Sequence, residues 1–200
     1  MARPPRISRD RVVEVAINLL DNEGIPGLSL DRIAAELGVR GPSLYHYYAD
    51  KSAILDDVAA HILGTIVVDR KLEDVEDWLV GICLELYRRV SAHPNVTYLL
   101  LEHLPPSAVI SGFGLGARLV ATSGVPVERQ LLLLEGVQHI AWGFIMYRAI
   151  MGPTPFDAEE LDAHRWIELG DACRAAPWKD EQMLEQALRT FIAGVLDGVR

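Results

Sequence analysis

The sequence predicts an all-α fold, in which an N-terminal three-helix head of the helix-turn-helix type precedes a larger helical body. Two observations predict this class. Apolar residues recur every three or four positions through most of the chain, as they do on the buried faces of amphipathic helices. Residues 29–51 also read as two short helices joined by a tight turn that contains glycine. We therefore expect the head at residues 1–51 and the body at residues 52–200.

The composition is that of an ordinary globular chain, since 50% of its 200 residues are apolar and 24% are charged. No window holds 18 apolar residues free of charge, which argues against a membrane span. The N-terminus is basic but lacks the apolar segment of a signal peptide. The two cysteines, Cys83 and Cys173, lie far apart in apolar helical contexts and are expected to be reduced. We expect a cytoplasmic protein with no membrane partner.

The net charge of −9 is distributed unevenly along the chain. Residues 1–51 contain seven Lys and Arg and seven Asp and Glu residues, whereas residues 52–200 contain twelve and twenty-one. The first eleven positions hold four arginines and one aspartate. Because the acidity belongs to the body, the overall charge does not exclude contact between the head and DNA.

The first predicted helix begins at Ser8 or Arg9, runs to Glu23 and ends at Gly24. Its apolar side is expected to support the two helices that follow. The preceding residues 1–7 contain two adjacent prolines and two arginines. They form either an arm that reaches phosphates or the minor groove, or a solvated tail.

The helix-turn-helix is predicted from capping residues and turn chemistry. Ser29 occupies the N-cap position of a helix at residues 30–37, and Asp31 is expected to serve as a charge at the helix start rather than in a contact. Gly38 can adopt the left-handed conformation that ends this helix. Pro42 fits the first turn of a second helix. In a helix-turn-helix, this second helix enters the major groove of DNA.

The residues NEG, followed by LSLDRIAAELGVRGPSLYHYYADKSAIL, resemble the DNA-binding head of the tetracycline-repressor (TetR) family. The landmarks LGV, S-LY and K stand at the spacing of that family, and the resemblance covers residues 8–60. It implies a dimeric transcriptional regulator, most often a repressor, that binds a palindromic double-stranded DNA operator and responds to a small-molecule effector. Leu44 and Tyr48 are expected in the head's core. The resemblance implies DNA contacts at Pro42, Ser43, Tyr45, His46, Tyr47 and Lys51.

Side-chain chemistry extends this set of DNA contacts. Arg40 flanks the start of the second helix, and its planar guanidinium matches O6 and N7 of guanine. Gly41 and Pro42 carry no long side chain, so the backbone can approach the duplex closely. Ser29 and the dipole of its helix suit a phosphate. The complete candidate set is Ser29, Arg32, Arg40, Gly41, Pro42, Ser43, Tyr45, His46, Tyr47 and Lys51.

Breaks at proline and glycine divide the body into predicted helices. Helix 128–151 is apolar nearly all round, and helix 180–199 carries an apolar stripe. Gly136 and Gly143, one heptad apart, leave a flat seam on the first of them. With their symmetry mates these helices would make a four-helix interface, and the resemblance implies the same homodimer. The predicted helices cover residues 51–68, 78–90, 95–104, 107–123, 128–151, 158–173 and 180–199.

Aromatic and polar residues on these apolar helices suit a cavity for a small, largely apolar effector. Gln138 and His139 are the most informative pair, because polar groups on an apolar helix need a partner. In tetracycline-binding members of the family, a histidine beyond the head helps to hold the drug. Val67 occupies that position, so a tetracycline is not expected. The candidate lining residues, any of which could instead be core, are Trp78, Tyr87, Tyr98, His103, Phe113, Gln138, His139, Trp142, Met146 and Tyr147.

Two other functions compete with a regulator: a small helical enzyme, or a binding module for hydrophobic small molecules whose head is vestigial. An enzyme would need a nucleophile beside a base, or a paired acid and base, and no such spacing occurs. Six histidines without close pairing indicate no metal site, and no cofactor is expected. The intact helix-turn-helix landmarks favour the regulator. Whether it represses or activates stays open, with repression favoured.

Overall fold

The computed structural model contains helices as its only regular elements in the described part of the chain, which confirms the predicted class. The chain divides into two compact units. The first comprises Met1–Thr65 with Arg89–Gly112, and the second comprises Ile66–Arg88 with Phe113–Arg200. Among the described residues, no helix has both the length and the apolar character needed to cross a bilayer. The described residues are 7–64, 74–102, 114, 116–152, 157–177 and 180–197.

In the first unit, helix α1 (Arg9–Gly27) begins where the sequence predicts. The Ser8 hydroxyl caps it by accepting a hydrogen bond from the backbone N–H of Arg11 at 3.3 Å. At the predicted end, Gly24 has a φ of 69°, which interrupts the helical backbone. The regular helix therefore ends at the predicted residue, and a short helical turn follows the kink as far as Gly27.

Helices α2 (Leu30–Leu37) and α3 (Gly41–Leu44) form the predicted helix-turn-helix. Leu44 and Tyr48 are buried beneath it, with exposed fractions of 0% and 2%, as predicted. The surrounding core comes from α1, α2 and the following helix, so the three-helix head has an apolar centre of its own. Its buried members include Val12, Ala16, Leu20, Ile33, Leu37, Ile54 and Val58.

Helix α4 (Lys51–Leu63) starts at the predicted cap, since the Asp50 carboxylate accepts a hydrogen bond from the N–H of Ala53 at 2.9 Å. The prediction that this helix runs on to residue 68 is wrong. The backbone leaves the helical conformation at Gly64, where φ is 4° and ψ is −178°. A residue without a Cβ tolerates such dihedral angles, so the helix ends there.

Helix α5 (Val75–Ser91) contributes to both units, because the division falls between Arg88 and Arg89. Helix α6 (Pro94–Glu102) follows the predicted break and completes the first unit. It packs on α1 and α4, and its residues Val96, Leu99 and Leu100 are fully buried. The first unit therefore includes a helix from well beyond the helix-turn-helix.

The second unit is built from most of α5, the helical residues 116–122 (α7), α8 (Val127–Met151) and the last helix, α11 (Glu181–Asp197). Trp78 and Cys83 of α5 lie in its core. The other core residues come from all four elements and include Val120, Leu133, Leu134, Val137, Ala141, Leu184, Leu188 and Ile192.

Helices α8 and α11 pack against each other along one of the predicted seam glycines. A Cβ at Gly136 would overlap the ring of Phe191, so glycine is needed for this close approach. At one end of the pair, Arg129 Nη1 donates a hydrogen bond to the carbonyl of Val195 at 2.7 Å. A Cβ at Gly143 would meet nothing within 4 Å. Only one of the two glycines therefore serves packing within the chain.

Charged side chains also hold α11 beside α5. Arg189 Nη1 lies 2.8 Å from Asp77 and 3.0 Å from Glu76, and Arg88 donates to Glu181. These hydrogen bonds to carboxylates raise the pKa of both guanidinium groups. Because the side chains remain partly exposed, each pair contributes on the order of 0–1 kcal/mol.

Between α8 and α11, two short helices replace the single helix predicted at residues 158–173. Helices α9 (Ala158–Ala163) and α10 (Ile167–Ala175) are separated at Arg165, whose φ is 65°. A non-glycine residue with positive φ leaves no local sequence signal of the break. Arg174 Nη1 donates to Asp162 at 2.8 Å and fastens the two helices together.

Candidate nucleic-acid interface

A left-handed glycine joins α2 to α3. Gly38 has a φ of 65°, and the N–H groups of Gly38 and Val39 bond to the carbonyls of Ala35 and Ala34 at 3.0 and 2.9 Å. These bonds satisfy carbonyls at the end of α2 and reverse the chain direction. The turn thus brings α3 to the position of a recognition helix.

The start of α3 carries four of the candidate DNA contacts. Arg40 is its N-cap residue, and the Arg40 carbonyl accepts a hydrogen bond from the N–H of Ser43 at 2.9 Å. The Arg40 and Pro42 side chains are exposed, while Gly41 and Ser43 are half-buried. Ser29, exposed at the start of α2, caps that helix by accepting from the backbone N–H three residues later at 3.2 Å.

In the segment that follows, two buried residues flank three consecutive residues that face solvent. Leu44 and Tyr48 are buried, whereas Tyr45 is 55% exposed, Tyr47 is 42% exposed and His46 is exposed. Two buried side chains therefore hold three solvent-facing rings in place. Phenol and imidazole groups can contact phosphates and the edges of bases, so this surface fits a nucleic-acid partner.

Two of the candidate contacts, Arg32 and Lys51, already have partners within the head. Arg32 donates to Glu23 at 2.6 Å and lies 3.8 Å from Glu36. Lys51 Nζ, at the start of α4, donates to the carbonyl of Ile25 near the end of α1 at 2.6 Å. Both cations therefore shape the head, whatever they contact on DNA.

Sequence reasoning missed a cluster that joins α1, α4 and the segment between α3 and α4. The Tyr48 hydroxyl donates to Asp57 Oδ2 at 2.7 Å, and Arg9 lies 3.2 Å from the same oxygen and 5.2 Å from the centre of the Tyr48 ring. Burial, and then the hydrogen bond to Asp57, raises the pKa of the Tyr48 hydroxyl well above its usual range. These residues are up to 48 positions apart, so no local pattern reveals the cluster.

The comparison with known families matches this part of the molecule. Residues 12–58, which run from α1 into α4, match the family described as "Bacterial regulatory proteins, tetR family". The chain carries the DNA-binding domain of the TetR family.

Curated TetR-family relatives are similar over different lengths. The "Tetracycline repressor protein class E" of Escherichia coli is 24% identical over 144 residues, which cover 70% of this chain and 68% of that protein. The "HTH-type transcriptional repressor DrrR1" of Streptomyces coeruleorubidus is 50% identical over 52 residues, which cover 26% of this chain and 19% of that protein. The chain is therefore a DNA-binding transcriptional regulator, and its relatives are not enzymes.

Solved structures of TetR-family proteins share the fold over nearly the whole chain. The regulator SCO7222 of Streptomyces coelicolor superposes with a TM-score of 0.78 at 20% identity, covering 97% of this chain and 100% of that chain. ActR of the same organism, in complex with actinorhodin, gives a TM-score of 0.74 at 21% identity, covering 96% and 98%. The helical body thus has the architecture of this family.

Within the helical body, the candidate effector-lining residues differ in exposure. Trp78 is buried in the core of the second unit, while His139 and Tyr147 are exposed. The Tyr87 ring packs edge-on against Phe144, with a distance of 5.7 Å between ring centres. The half-buried candidates are Tyr87, Gln138, Trp142 and Met146. The side chain of Tyr98 and all of His103, Phe113 and Val67 lie outside the described residues.

A second contact that the sequence did not reveal links α6 to α1. His93 Nδ1 lies 2.8 Å from Asp21 Oδ2, and the Asn95 side chain donates to the Asp21 carbonyl at 3.0 Å. His93 lies just before α6 and Asn95 lies in its first turn, and both contact the turn of α1 that precedes the kink. In the described ranges, no group of three or more His, Cys, Asp or Glu side chains is placed to hold a metal ion.

Proposed function

We propose that this TetR-family regulator is a repressor that binds a palindromic operator as a homodimer and is released by a small, largely apolar ligand. The observation that carries the proposal is the outward-facing set of Tyr45, His46 and Tyr47 on a well-anchored recognition segment. The names of the relatives support repression, since the proteins from Escherichia coli and Streptomyces coeruleorubidus are both called repressors. A DNA operator as the partner also agrees with the expected cytoplasmic location.

The homodimer is supported by a continuous exposed face on α8. Exposed residues recur along this helix at spacings of three and four, so they share one side. Several are large and apolar: Leu131 is 62% exposed, Leu132 is 56% exposed and Ile150 is 64% exposed. Large apolar side chains exposed at both ends of one helix face are typical of an interface with another protein. The face comprises Leu131, Leu132, Glu135, His139, Gly143, Tyr147 and Ile150.

The neighbouring face of α11 complements it with small side chains. Ala187, Thr190, Ala193 and Gly194 are all exposed there, beside Met183. Small residues allow a second helix to approach closely, and large residues of a symmetry-related α8 can fill the space above them. A second copy of the chain is therefore the occupant we propose for both faces. On this view His139 and Tyr147 belong to the dimer interface rather than to the effector site.

The effector site is supported by the half-buried stripe on α8 and by the relatives. Gln138, Trp142 and Met146 follow one another at spacings of four and are neither core nor fully exposed. An apolar surface with one amide suits a largely apolar ligand that makes few hydrogen bonds. ActR, which shares this fold, was crystallised with actinorhodin and with (S)-DNPA. We propose that a ligand of comparable chemistry binds against this stripe.

Release of DNA follows if the ligand binds one conformation of the regulator more tightly than the other. Helix α5 is a continuous element whose residues contribute to both compact units. A shift of α5 on ligand binding would therefore move residues that belong to both units. The direction proposed is release, as expected of a repressor that responds to an inducer.

The DNA-binding part of the proposal is tested by selection from a pool of randomised duplexes, followed by gel-shift titration of the selected sequences. Wild type is expected to select a palindrome, and Tyr45→Ala to lose at least about tenfold in affinity, which corresponds to the loss of about 1.4 kcal/mol. Trp166→Ala is the matched control, because Trp166 is a 62% exposed aromatic residue of the second unit. Absence of any selected sequence at low salt would overturn the proposal.

The dimer is tested by sedimentation equilibrium. Leu132→Asp places a charge in the proposed interface and should yield monomers that bind operator poorly. Leu169→Asp is the control, because Leu169 is also an exposed leucine, at 40%, but lies on α10. Equal association of both variants and wild type would show that the α8 face is not the interface.

The effector part is tested with the same operator complex. A panel of polycyclic aromatic compounds, with actinorhodin among them, is titrated into it and release of DNA is recorded. Trp142→Ala should raise the concentration needed for half-release without changing operator affinity. Unchanged release would mean that the stripe does not bind the ligand.

A further inference from the structure

The side chain of Asp31 reaches from α2 to the first residue of the recognition helix. Asp31 lies in the first turn of α2 and is exposed. Its Oδ1 atom lies only 2.7 Å from the position that a Cβ on Gly41 would take. The carboxylate thus stands beside the start of α3, in addition to its favourable position at the start of α2.

The close approach of the Asp31 carboxylate, rather than an unusual backbone conformation, explains why position 41 is a glycine. Gly41 is not among the glycines with positive φ in the described residues, which are Gly24, Gly38, Gly124 and Gly152. Other residues could adopt its conformation. A methyl group there would push the carboxylate away, so the pairing of glycine with Asp31 keeps a negative charge at this point.

The neighbouring cation does not neutralise that charge. Arg32 follows Asp31 directly, but its guanidinium is directed to Glu23 and Glu36. An exposed carboxylate at the edge of a DNA-binding surface is repelled by phosphates, and this penalty applies to every DNA sequence. A binding protein gains from such a group only where the DNA offers a hydrogen-bond donor.

In the major groove, amino groups of bases are such donors, and the N4 amino group of cytosine is the usual partner of an aspartate or glutamate. The residues at the N-terminal end of a recognition helix are those that contact base edges. Asp31 lies beside that end, because its Oδ1 atom is 2.7 Å from the position of a Cβ on Gly41.

We propose that Asp31 is a specificity-determining residue, which accepts a hydrogen bond from the amino group of a cytosine in the operator and disfavours other bases at that position. The inference rests on the proposed operator binding. It assigns to one acidic residue a selective role, beyond the affinity supplied by the cations and aromatic residues of the head.

The experiment compares Asp31→Asn and Asp31→Ala with wild type in selection from randomised duplexes, followed by titration of single-base variants of the selected operator. For wild type, replacing one C·G pair in each half-site should weaken binding about tenfold or more, the scale of one specific base contact. In both variants that loss should shrink to less than about threefold, while preferences at other positions stay unchanged.

Glu14→Gln and Glu14→Ala are matched controls, because Glu14 is an exposed carboxylate on α1 and its replacement changes the charge equally. They should keep the wild-type preferences. If the Asp31 variants bind all sequences more tightly by a uniform factor, the carboxylate only repels phosphates and the proposal is wrong. Unchanged affinity and preference would also overturn it. Failure of wild type to bind any duplex would instead overturn the proposed function, so the two failures are distinguishable.

Discussion

At the scale of single residues, a side chain of the interface can serve the fold and the DNA together. Lys51 is the clearest candidate for both roles, because its ammonium group donates to the Ile25 carbonyl and it belongs to the predicted set of DNA contacts. An ammonium group has three N–H donors, so one bond to the backbone leaves two for a phosphate. Arg40 differs, since its exposed guanidinium has no part in capping α3.

We predict that Lys51→Met lowers both the free energy of unfolding and operator affinity. Loss of a donor to a partly buried carbonyl should cost about 1–2 kcal/mol of stability. Arg40→Ala is the comparison, and should lower affinity while leaving stability within about 0.5 kcal/mol of wild type. Urea unfolding and gel-shift titration of the two variants measure the two effects separately. A Lys51→Met protein that binds operator like wild type would restrict Lys51 to a structural role.

Cys83 makes stability depend on pH in the alkaline range. Burial raises the pKa of its thiol to about 12, whereas an exposed thiol in the unfolded chain ionises near about 8.5. Because the folded pKa is the higher one, this contribution to stability is complete below about pH 8.5 and is lost as the pH rises towards about 12.

We therefore predict that Cys83→Ala flattens the loss of unfolding free energy as the pH rises from about 8.5 towards about 12, the window set by the two thiol pKa values. Cys173→Ala, at the half-buried cysteine, is the matched control. Urea unfolding at a series of pH values provides the measurement. Identical slopes for the two variants would contradict the assigned role of Cys83.

At the scale of elements, α8 carries two glycines whose surroundings differ. A Cβ at Gly136 overlaps Phe191 of α11, whereas a Cβ at Gly143 meets nothing within 4 Å. The sequence shows only that the two glycines are one heptad apart, and it gives no sign of this difference. Packing of α11 decides the first position, and the proposed partner chain decides the second.

We predict that Gly136→Ala destabilises the fold by about 1–3 kcal/mol, because α8 and α11 must separate or Phe191 must move. Gly143→Ala should leave the fold intact and weaken association of the dimer, since the added methyl group enters the proposed interface. Thermal unfolding and sedimentation equilibrium distinguish the two outcomes. Equal effects of both substitutions on unfolding would contradict the packing of α11 on Gly136.

Two further elements show where local signals fail. Helix α4 ends at Gly64 although apolar periodicity continues beyond it in the sequence. The chain between α9 and α10 breaks at Arg165, a residue type that does not predict a positive φ. Glycine permits the dihedral angles that end α4 but does not require them, and arginine gives no sign of the break at residue 165.

At the scale of the whole molecule, the separation of charge governs the response to salt. The first 51 residues are neutral by formal charge and the remainder carries −9. Attraction to DNA must therefore come from local cations rather than from the overall field, which repels the duplex.

We predict that operator affinity falls steeply with ionic strength, with log K decreasing by about 0.9 per phosphate contact for each unit of log salt. Arg40→Ala should reduce this slope by about 1 per head if Arg40 contacts a phosphate, and should alter base preference if it contacts guanine. Arg118→Ala, at an exposed arginine of the second unit, is the control and should change neither. Affinity that does not vary with salt would contradict phosphate contacts.

The sequence by itself determined the helix-turn-helix and the residues that the recognition segment exposes. Ser29, Gly38 and Asp50 act within their own turn of the chain, and their roles as caps follow from hydrogen-bonding capacity and backbone freedom. The alternation of Leu44 and Tyr48 with exposed polar residues is similarly local. Such features depend on residues a few positions apart, so they can be read before the fold is known.

Only the tertiary structure decided which partners distant side chains have. The bond from Lys51 to Ile25 spans 26 positions, and the contact from His93 to Asp21 spans 72. The same is true of Asp31 at the edge of Gly41, and of the exposed side of α8, which its nearly uniform apolar sequence does not mark. The physical reason is that a charge or an apolar side chain constrains its environment without specifying which part of the chain supplies it. Packing of the helices makes that selection.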